Sequence, residues 1–403
     1  MDEAAPISEE ELLFEDLVRS VHGCAPIEVL QVAGRYGERI GLSDITLYLV
    51  DLQQRLLTPL TGGPDLDVDT TTAGEAYRSE TLRLVEGDGE LSLWLPLRDG
   101  ADRMGVLHVR TPVLDEPTLR RCQTLASLLA LVVTSKRAYS DTYVRHTRTR
   151  SVELRTEMLR AFLPPRTLGT RWGVSTAVLE PAYRLGGDAF DHSITGDTLH
   201  AAILDAMGHD LASGLTASVA MAGARSARRN GADLAELTGS VERALVEWLP
   251  DRFCTAVFST LNLATGEFSW VNCAHPTPLL LRENRLLEDA LERPAEVPLG
   301  LGGVLDTDRR TVHRAQLEPG DRVLLYTDGV TEAHDSEGRM FGLERFADFI
   351  IRATSADEPA PETLRRLIHA IHGHQRGDFN DDATIMLLEW HPDGDGKSRS
   401  RYC

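Results

Sequence analysis

Four groups of aspartates carry the strongest chemical signal in this 403-residue chain. They are Gly186-Gly187-Asp188 with Asp191 behind it, Leu204-Asp205-Ala206-Met207-Gly208-His209, Tyr326-Thr327-Asp328-Gly329, and Asp381-Asp382-Ala383-Thr384. Glycine stands near the acid in three of the four, where a backbone turns tightly or approaches a ligand closely. Asp205 and Asp328 each close an apolar run, Ala201–Leu204 and Val323–Tyr326. A carboxylate at such a strand end is costly to bury unless it is paired or bound to a metal. Oxygen-only clusters, without His or Cys, suit hard cations such as Mn2+ or Mg2+. Two such ions about 3.5 to 4 Å apart can bind a phosphoryl group and lower the pKa of a shared water, which becomes the nucleophile for in-line attack on phosphorus. The ions also turn an acidic site into a receptor for phosphate. Taken singly, an aspartate beside glycine is most often a turn or cap residue. Four such groups in one stretch, two of them ending apolar strands, favour the metal reading.

The elements that must hold these acids follow from periodicity. Strand patterns fall at 172–180, 198–205, 253–262, 267–273, 277–282, 310–317, 322–328 and 383–390, with turn signals such as Thr265-Gly266 and Pro319-Gly320 between them. Helical periods fit 208–229, 232–249, 342–354 and 360–374. Two packed sheets with helices outside accommodate that set. Residues 8–137 read as a separate α/β unit. Ser8 with Glu11 forms a capping box before an amphipathic helix, and a second helix follows Pro26. A strand around Ile45–Leu49 comes next, then a hairpin of 91–97 and 104–109 turned at Asp99-Gly100, and a closing helix from about Glu116 to Arg137. Residues 138–163 are helical in period and rich in arginine, ending at Pro164-Pro165. They read either as a signalling helix that pairs with its twin in a dimer or as a solvated connector. The catalytic unit is then 164–390, and 391–403 is a polar tail.

Composition narrows the function classes. The net charge of −20 disfavours nucleic acid and anionic membranes as partners. No apolar run reaches the roughly 18 to 20 residues of a membrane span. The acidic N-terminus lacks the basic start of a secretion signal, so a cytoplasmic protein is expected. Cys24, Cys122, Cys254, Cys273 and Cys403 form no C-x-x-C pair and read as inert thiols of a reducing compartment.

The motif series has a family counterpart. Gly186-Gly187-Asp188-x-x-Asp191, Asp205-x-x-Gly208-His209, Pro298-Leu299-Gly300, Tyr326-Thr327-Asp328-Gly329-Val330-Thr331-Glu332-Ala333 and Asp381-Asp382-x-Thr384 resemble the PPM-type phosphatases of the SpoIIE/RsbU branch. The resemblance covers about residues 160–390. It implies an αββα sandwich, two Mn2+ or Mg2+ ions and protein serine/threonine phosphatase activity. Carried over residue by residue, Asp205 would bridge both ions, and Asp328 and Asp381 would complete one site. Asp188 and the backbone carbonyl of Ala206 would hold the other. Asp191, Gly329 and Asp382 would stand beside the ligands. The implied substrate is a phosphoserine or phosphothreonine on a STAS-type anti-sigma factor antagonist, in sigma factor regulation.

This chain departs from the pattern in three places. Ala189-Phe190 replaces an aromatic pair, and Asp210 stands where the family has glycine after Gly-His. Met207 occupies the position of a histidine that, in larger eukaryotic relatives, is suited to protonating the leaving group. His209 reads as a structural or helix-starting residue. The order of elements in 8–137 resembles a GAF domain, a sensor whose signal is unknown and which, with the linker helix, would form a homodimer.

Two other readings compete. Gly186-Gly187-Asp188-Ala189-Phe190 is similar to the signature loop of diguanylate cyclases, but it lacks an acid before Phe190, and the motifs downstream have no use in a cyclase. A non-catalytic phosphoprotein binder would have no reason to keep acids in all four groups.

Overall fold

Segments of period two and period 3.6 become strands and helices in the computed structural model, which describes residues 9–87, 89–287, 289–294, 296–301, 310–356, 358–375 and 381–392. They fall into two compact units, Met1–Arg150 and Ser151–Cys403.

The first unit contains α1 (Glu9–Gly23), α2 (Val29–Arg39), β1 (Ser43–Val50), β2 (Leu56–Pro59), β3 (Leu66–Asp67), α3 (Thr72–Ser79), β4 (Arg83–Gly87), β5 (Glu90–Asp99), β6 (Asp102–Thr111), α4 (Glu116–Arg137) and α5 (Asp141–His146). Its six strands form an antiparallel sheet in the order β3-β2-β1-β6-β5-β4. The Asp115 carboxylate caps α4 by accepting from the Thr118 N–H at 2.9 Å. Cys122, Leu125, Ala126, Leu129, Ala130 and Val133 then recur at helical spacing and bury that face with α1 and α2. On a separate apolar cluster, Ala73, Ala76 and Tyr77 of α3 pack with Val50, Leu57 and Val106. The expected hairpin and closing helix are both present. The capping box at Ser8 lies outside the described residues.

The second unit runs α6 (Leu154–Arg160), β7 (Thr167–Thr170), β8 (Gly173–Glu180), β9 (Asp188–Thr195), β10 (Thr198–Ala206), α7 (Leu211–Arg229), α8 (Leu234–Trp248), β11 (Cys254–Asn262) and β12 (Glu267–Cys273). It continues with β13 (Leu279–Arg282), β14 (Arg285–Leu287), β15 (His313–Gln316), β16 (Arg322–Tyr326), α9 (Asp328–Thr331), α10 (Leu343–Ser355), α11 (Ala360–Gln375) and β17 (Ala383–Trp390). A five-stranded sheet, β15-β12-β11-β10-β9, faces a six-stranded sheet, β14-β13-β16-β17-β8-β7.

Strand β17 shows why both faces of the second sheet are buried. Met386, Leu388 and Trp390 point into the core shared by the two sheets, α7 and α8. Ile385 and Leu387 alternate with them and point to α10 and α11. The result is an αββα sandwich.

One expectation is corrected. Residues 138–163 are not one helix but two short ones, and each docks on a different unit. Tyr143 of α5 is buried in the first unit, and its hydroxyl donates to the Pro26 carbonyl at 2.8 Å. Leu159 of α6 is buried in the core of the second unit, and the Thr156 hydroxyl accepts from the Leu185 N–H at 2.8 Å. The helical period was real, but each short apolar face found a core of its own unit. A continuous helix able to pair with its twin is therefore absent from the described residues. Leu159→Ala should lower the unfolding free energy of the second unit by about 2–5 kcal/mol. Leu154→Ala, on the exposed side of the same helix, should change it by less than about 0.5 kcal/mol. Denaturant titration of the two variants measures both.

Candidate phosphatase site

The acids meet at one end of the sandwich because four chain segments end or start there. Asp188 opens β9 and is the cross-strand partner of Asp205 in β10. In the other sheet β16 stops at Tyr326, and Thr327 leads to Asp328 at the start of α9. Asp381 and Asp382 directly precede β17.

Two threonines tie the sheets together across the gap. The hydroxyls of Thr327 and Thr384 both donate to Asp188 Oδ2, at 2.8 and 2.6 Å. The Thr384 N–H in turn donates to Thr327 Oγ1 at 2.9 Å. Asp382 Oδ2 accepts from the N–H groups of Gly186 and Asp188, at 2.6 and 3.1 Å, and so holds the turn that presents Asp188.

Glycine is required at two positions of close approach. A Cβ on Gly187 would lie 2.2 Å from the Ala206 carbonyl oxygen, and one on Gly329 would lie 1.9 Å from the Asp382 carbonyl oxygen. The Pro298-Leu299-Gly300 turn packs alongside. Leu299 exchanges N–H···O bonds of 2.9 and 3.0 Å with Cys254, the cross-strand partner of Ala206.

Not every flagged residue joins the cluster. Asp191 is committed to Arg225 and Arg228, at 2.6 and 2.7 Å, and pins α7 to β9. Asp210 caps α7, accepting from the Ser213 N–H at 2.9 Å with Arg252 3.7 Å away. That cap explains an acid where the family has glycine, and it gives the helix start to Asp210 instead of His209, which is exposed. Sequence reasoning quoted Thr327 and Thr384 but assigned them no role. Their position, one residue before one acid and two after another, was the available signal.

The electrostatics of the cluster are those of crowded acids, with Asp188 and Asp382 buried, Asp205 half-buried, and Asp328 and Asp381 exposed at the rim. Burial pushes Asp205 up to about 7, with repulsion from Asp328, Asp381 and Asp382 adding to it. Burial, then Asp205 and Asp382, raise Asp188 well above the carboxylate range, against the two threonine hydrogen bonds. Asp382 is raised to about 6, chiefly by burial, and Asp328 is raised by burial and then by Asp381. Among the described residues, the charged groups acting on Asp205 are carboxylates.

Among the described residues no three His, Cys, Asp or Glu side chains stand close enough to form a closed metal cage. The donor set nevertheless fits hard cations: oxygens alone, with carboxylates as the charged groups of the described residues acting on Asp205 and a backbone carbonyl at the rim.

A family model described as "Stage II sporulation protein E (SpoIIE)" matches residues 195–391, just under half of the chain. The SiaA-PP2C domain of Pseudomonas aeruginosa is 22% identical with a TM-score of 0.50, covering 58% of this chain and 94% of that one. The RsbU and RsbW domains of Rv1364c from Mycobacterium tuberculosis are 25% identical with a TM-score of 0.45, covering 55% of this chain and 62% of that one. Protein IcfG of Synechocystis sp. is 24% identical over 137 residues, which is 34% of this chain and 20% of that protein. The chain thus spans about a fifth of that curated relative. The second unit thus shares the fold of the SiaA-PP2C domain, and most of it is similar to the SpoIIE family model. The acids at Asp205, Asp328, Asp381 and Asp382 fall inside the matched region, and Asp188 lies just before it.

The raised Asp205 carboxyl has a consequence for metal-free protein. The folded state keeps a proton that the unfolded state, near 3.9, has already lost. Its contribution therefore turns against folding as pH rises from about 4 through 7. Buried His192 and His275, lowered by burial to about 4 and about 3, work in the opposite sense below about pH 6.5. The difference between variants is thus the readout. With chelator present, Asp205→Asn should exceed the wild type in stability at pH 8 by roughly 1–2 kcal/mol. That gain should shrink toward zero at pH 4.

Proposed function

We propose that the chain is a metal-dependent phosphatase that removes phosphate from a serine or threonine of a regulatory protein in the cytoplasm. Its N-terminal unit would act as a GAF-like sensor. The observation that carries the metal dependence is the set of acids drawn from both sheets to one end of the sandwich, with carboxylates as the charged groups acting on Asp205. Asp205, Asp328 and Asp381 are assigned to one Mn2+ or Mg2+ ion. Asp188, the Ala206 carbonyl and the shared Asp205 are assigned to a second. When bound, the ions supply charge neutralisation for the phosphoryl group and an activated water for attack on phosphorus.

The chain's own residues supply placement. Thr327 and Thr384 fix one oxygen of Asp188 and so orient the carboxylate. Asp382 is committed to backbone N–H groups, which supports its role beside the ligands. Met207, next to the Ala206 carbonyl, has no proton to give a leaving group.

A STAS-type antagonist as substrate is supported by the SpoIIE family match. Regulation is supported by one chain of contacts. Arg225 of α7 donates to the Phe162 carbonyl just beyond α6, at 2.6 Å, while the other end of α7 starts five residues after Ala206. A signal that moves α6 can therefore move α7 and the Ala206 carbonyl.

With Mn2+ supplied, Asp205→Ala and Asp328→Ala should each cut hydrolysis of p-nitrophenyl phosphate by at least about 100-fold. Both variants should remain folded. Near-normal turnover in either contradicts the assignment. A panel of phosphorylated STAS proteins tests the substrate, and failure of every one to be dephosphorylated counts against that class.

A further inference from the structure

An ion pair under the Pro298-Leu299-Gly300 turn has no part in the assignment above. Arg310 is buried, and its Nη2 donates to Glu242 Oε2 of α8 at 3.1 Å. The same two side chains grip three backbone groups of the turn. Arg310 donates to the carbonyls of Val297 and Pro298, the latter at 3.0 Å. Glu242 Oε2 accepts from the Gly300 N–H at 3.0 Å. Gly300 adopts φ 94°, and a Cβ there would lie 2.3 Å from the Arg252 carbonyl oxygen. The turn is therefore anchored by the ion pair on one side and pressed against the chain at Arg252 on the other.

That turn extends the five-stranded sheet past the end of β12. The ladder between β11 and β12 reaches as far as Ala256 and Cys273. Two residues earlier in β11, Cys254 exchanges N–H···O bonds with Leu299 instead, at 2.9 and 3.0 Å. On its other side Cys254 is the cross-strand partner of Ala206, and the Phe253 carbonyl accepts from the Met207 N–H at 3.2 Å. Arg252–Cys254 thus lies between the anchored turn and the Asp205-Ala206-Met207 step. Every link from the ion pair to that step is a direct hydrogen bond or a strand pairing. A satisfied polar network of this kind rigidifies the segments it joins.

We propose that Glu242 and Arg310 are positioning residues that hold the Ala206 carbonyl in place, acting through the turn and the start of β11. The inference rests on the metal reading above, in which that carbonyl serves the second ion. An ion pair that only stabilised the fold could be replaced by apolar side chains of similar volume without touching ion binding. One that places a ligand must change the affinity of the ion that ligand serves, and leave the other ion nearly alone.

The test uses the full chain, with Mn2+ titrated by calorimetry and hydrolysis of p-nitrophenyl phosphate followed separately. The wild type should take up two ions. Replacing both residues, Glu242→Met with Arg310→Met, keeps the volume and removes the polar grip. One binding step should then weaken by about tenfold while the other stays within about twofold. Arg310→Lys keeps the charge but loses the fork, and should weaken the same step by about three- to fivefold. Glu242→Gln removes the negative charge but keeps an oxygen for Gly300, and should bind both ions as the wild type does. At saturating Mn2+, kcat should stay within about threefold, because neither side chain touches a reacting atom. Wild-type affinity in the double variant, or in Arg310→Lys if only that one folds, overturns the proposal. So does an equal loss in Glu242→Gln, which would make charge and not placement the cause, and so does equal weakening of both steps. A wild-type chain that binds fewer than two Mn2+ ions defeats the metal reading itself and the positioning role with it.

Discussion

Repulsion among carboxylates crowded at one end of the sandwich, two of them buried, is the constraint around which the second unit is built. Asp188 and Asp205 face each other across a ladder of one sheet, while Asp328, Asp381 and Asp382 arrive from the other. Burying several such charges without a counter-cation is costly, and proteins respond by protonating the groups or by binding metal. The upward shifts of Asp188, Asp205, Asp328 and Asp382 express that cost in the protein alone. Thr327, Thr384 and Asp382 hold these acids in place, and Gly187 and Gly329 let the backbone come near enough.

The holding is done by neutral donors and by backbone. Thr327 and Thr384 reach across from the second sheet to Asp188. N–H groups of the Gly186–Asp188 turn occupy Asp382. Such bonds orient a carboxylate without cancelling its charge, so they leave the site receptive to cations. Arginines appear further out. Arg225 and Arg228 neutralise Asp191 and anchor α7 on β9, which keeps that acid out of the cluster.

Much of this was legible in the sequence because it is local. The apolar runs ending at Leu204 and Tyr326 marked strands with an acid at the tip, and the hairpin and closing helix of the first unit fell where periodicity put them. Strand β9 was missed because its sequence, from Asp188 to Thr195, buries Asp188, Asp191 and His192 where a strand usually shows apolar residues. Those polar groups are satisfied by partners far along the chain, such as Ser175 and Arg225, that no local window contains. The same distance hid the threonine contacts to Asp188, which span 139 and 196 residues. The segment 138–163 failed differently. Its period is helical, but period does not say which core a short helix will join.

Thermal unfolding of the chelated full chain at pH 7.5, repeated with about 1 mM Mn2+, tests the central claim most directly. Ions that bind the folded acids and not the unfolded chain should raise the midpoint of the second unit by roughly 5–10 °C. A midpoint that stays unchanged with both Mn2+ and Mg2+ at that concentration would contradict the account, since the repulsion would then have no cation to relieve it.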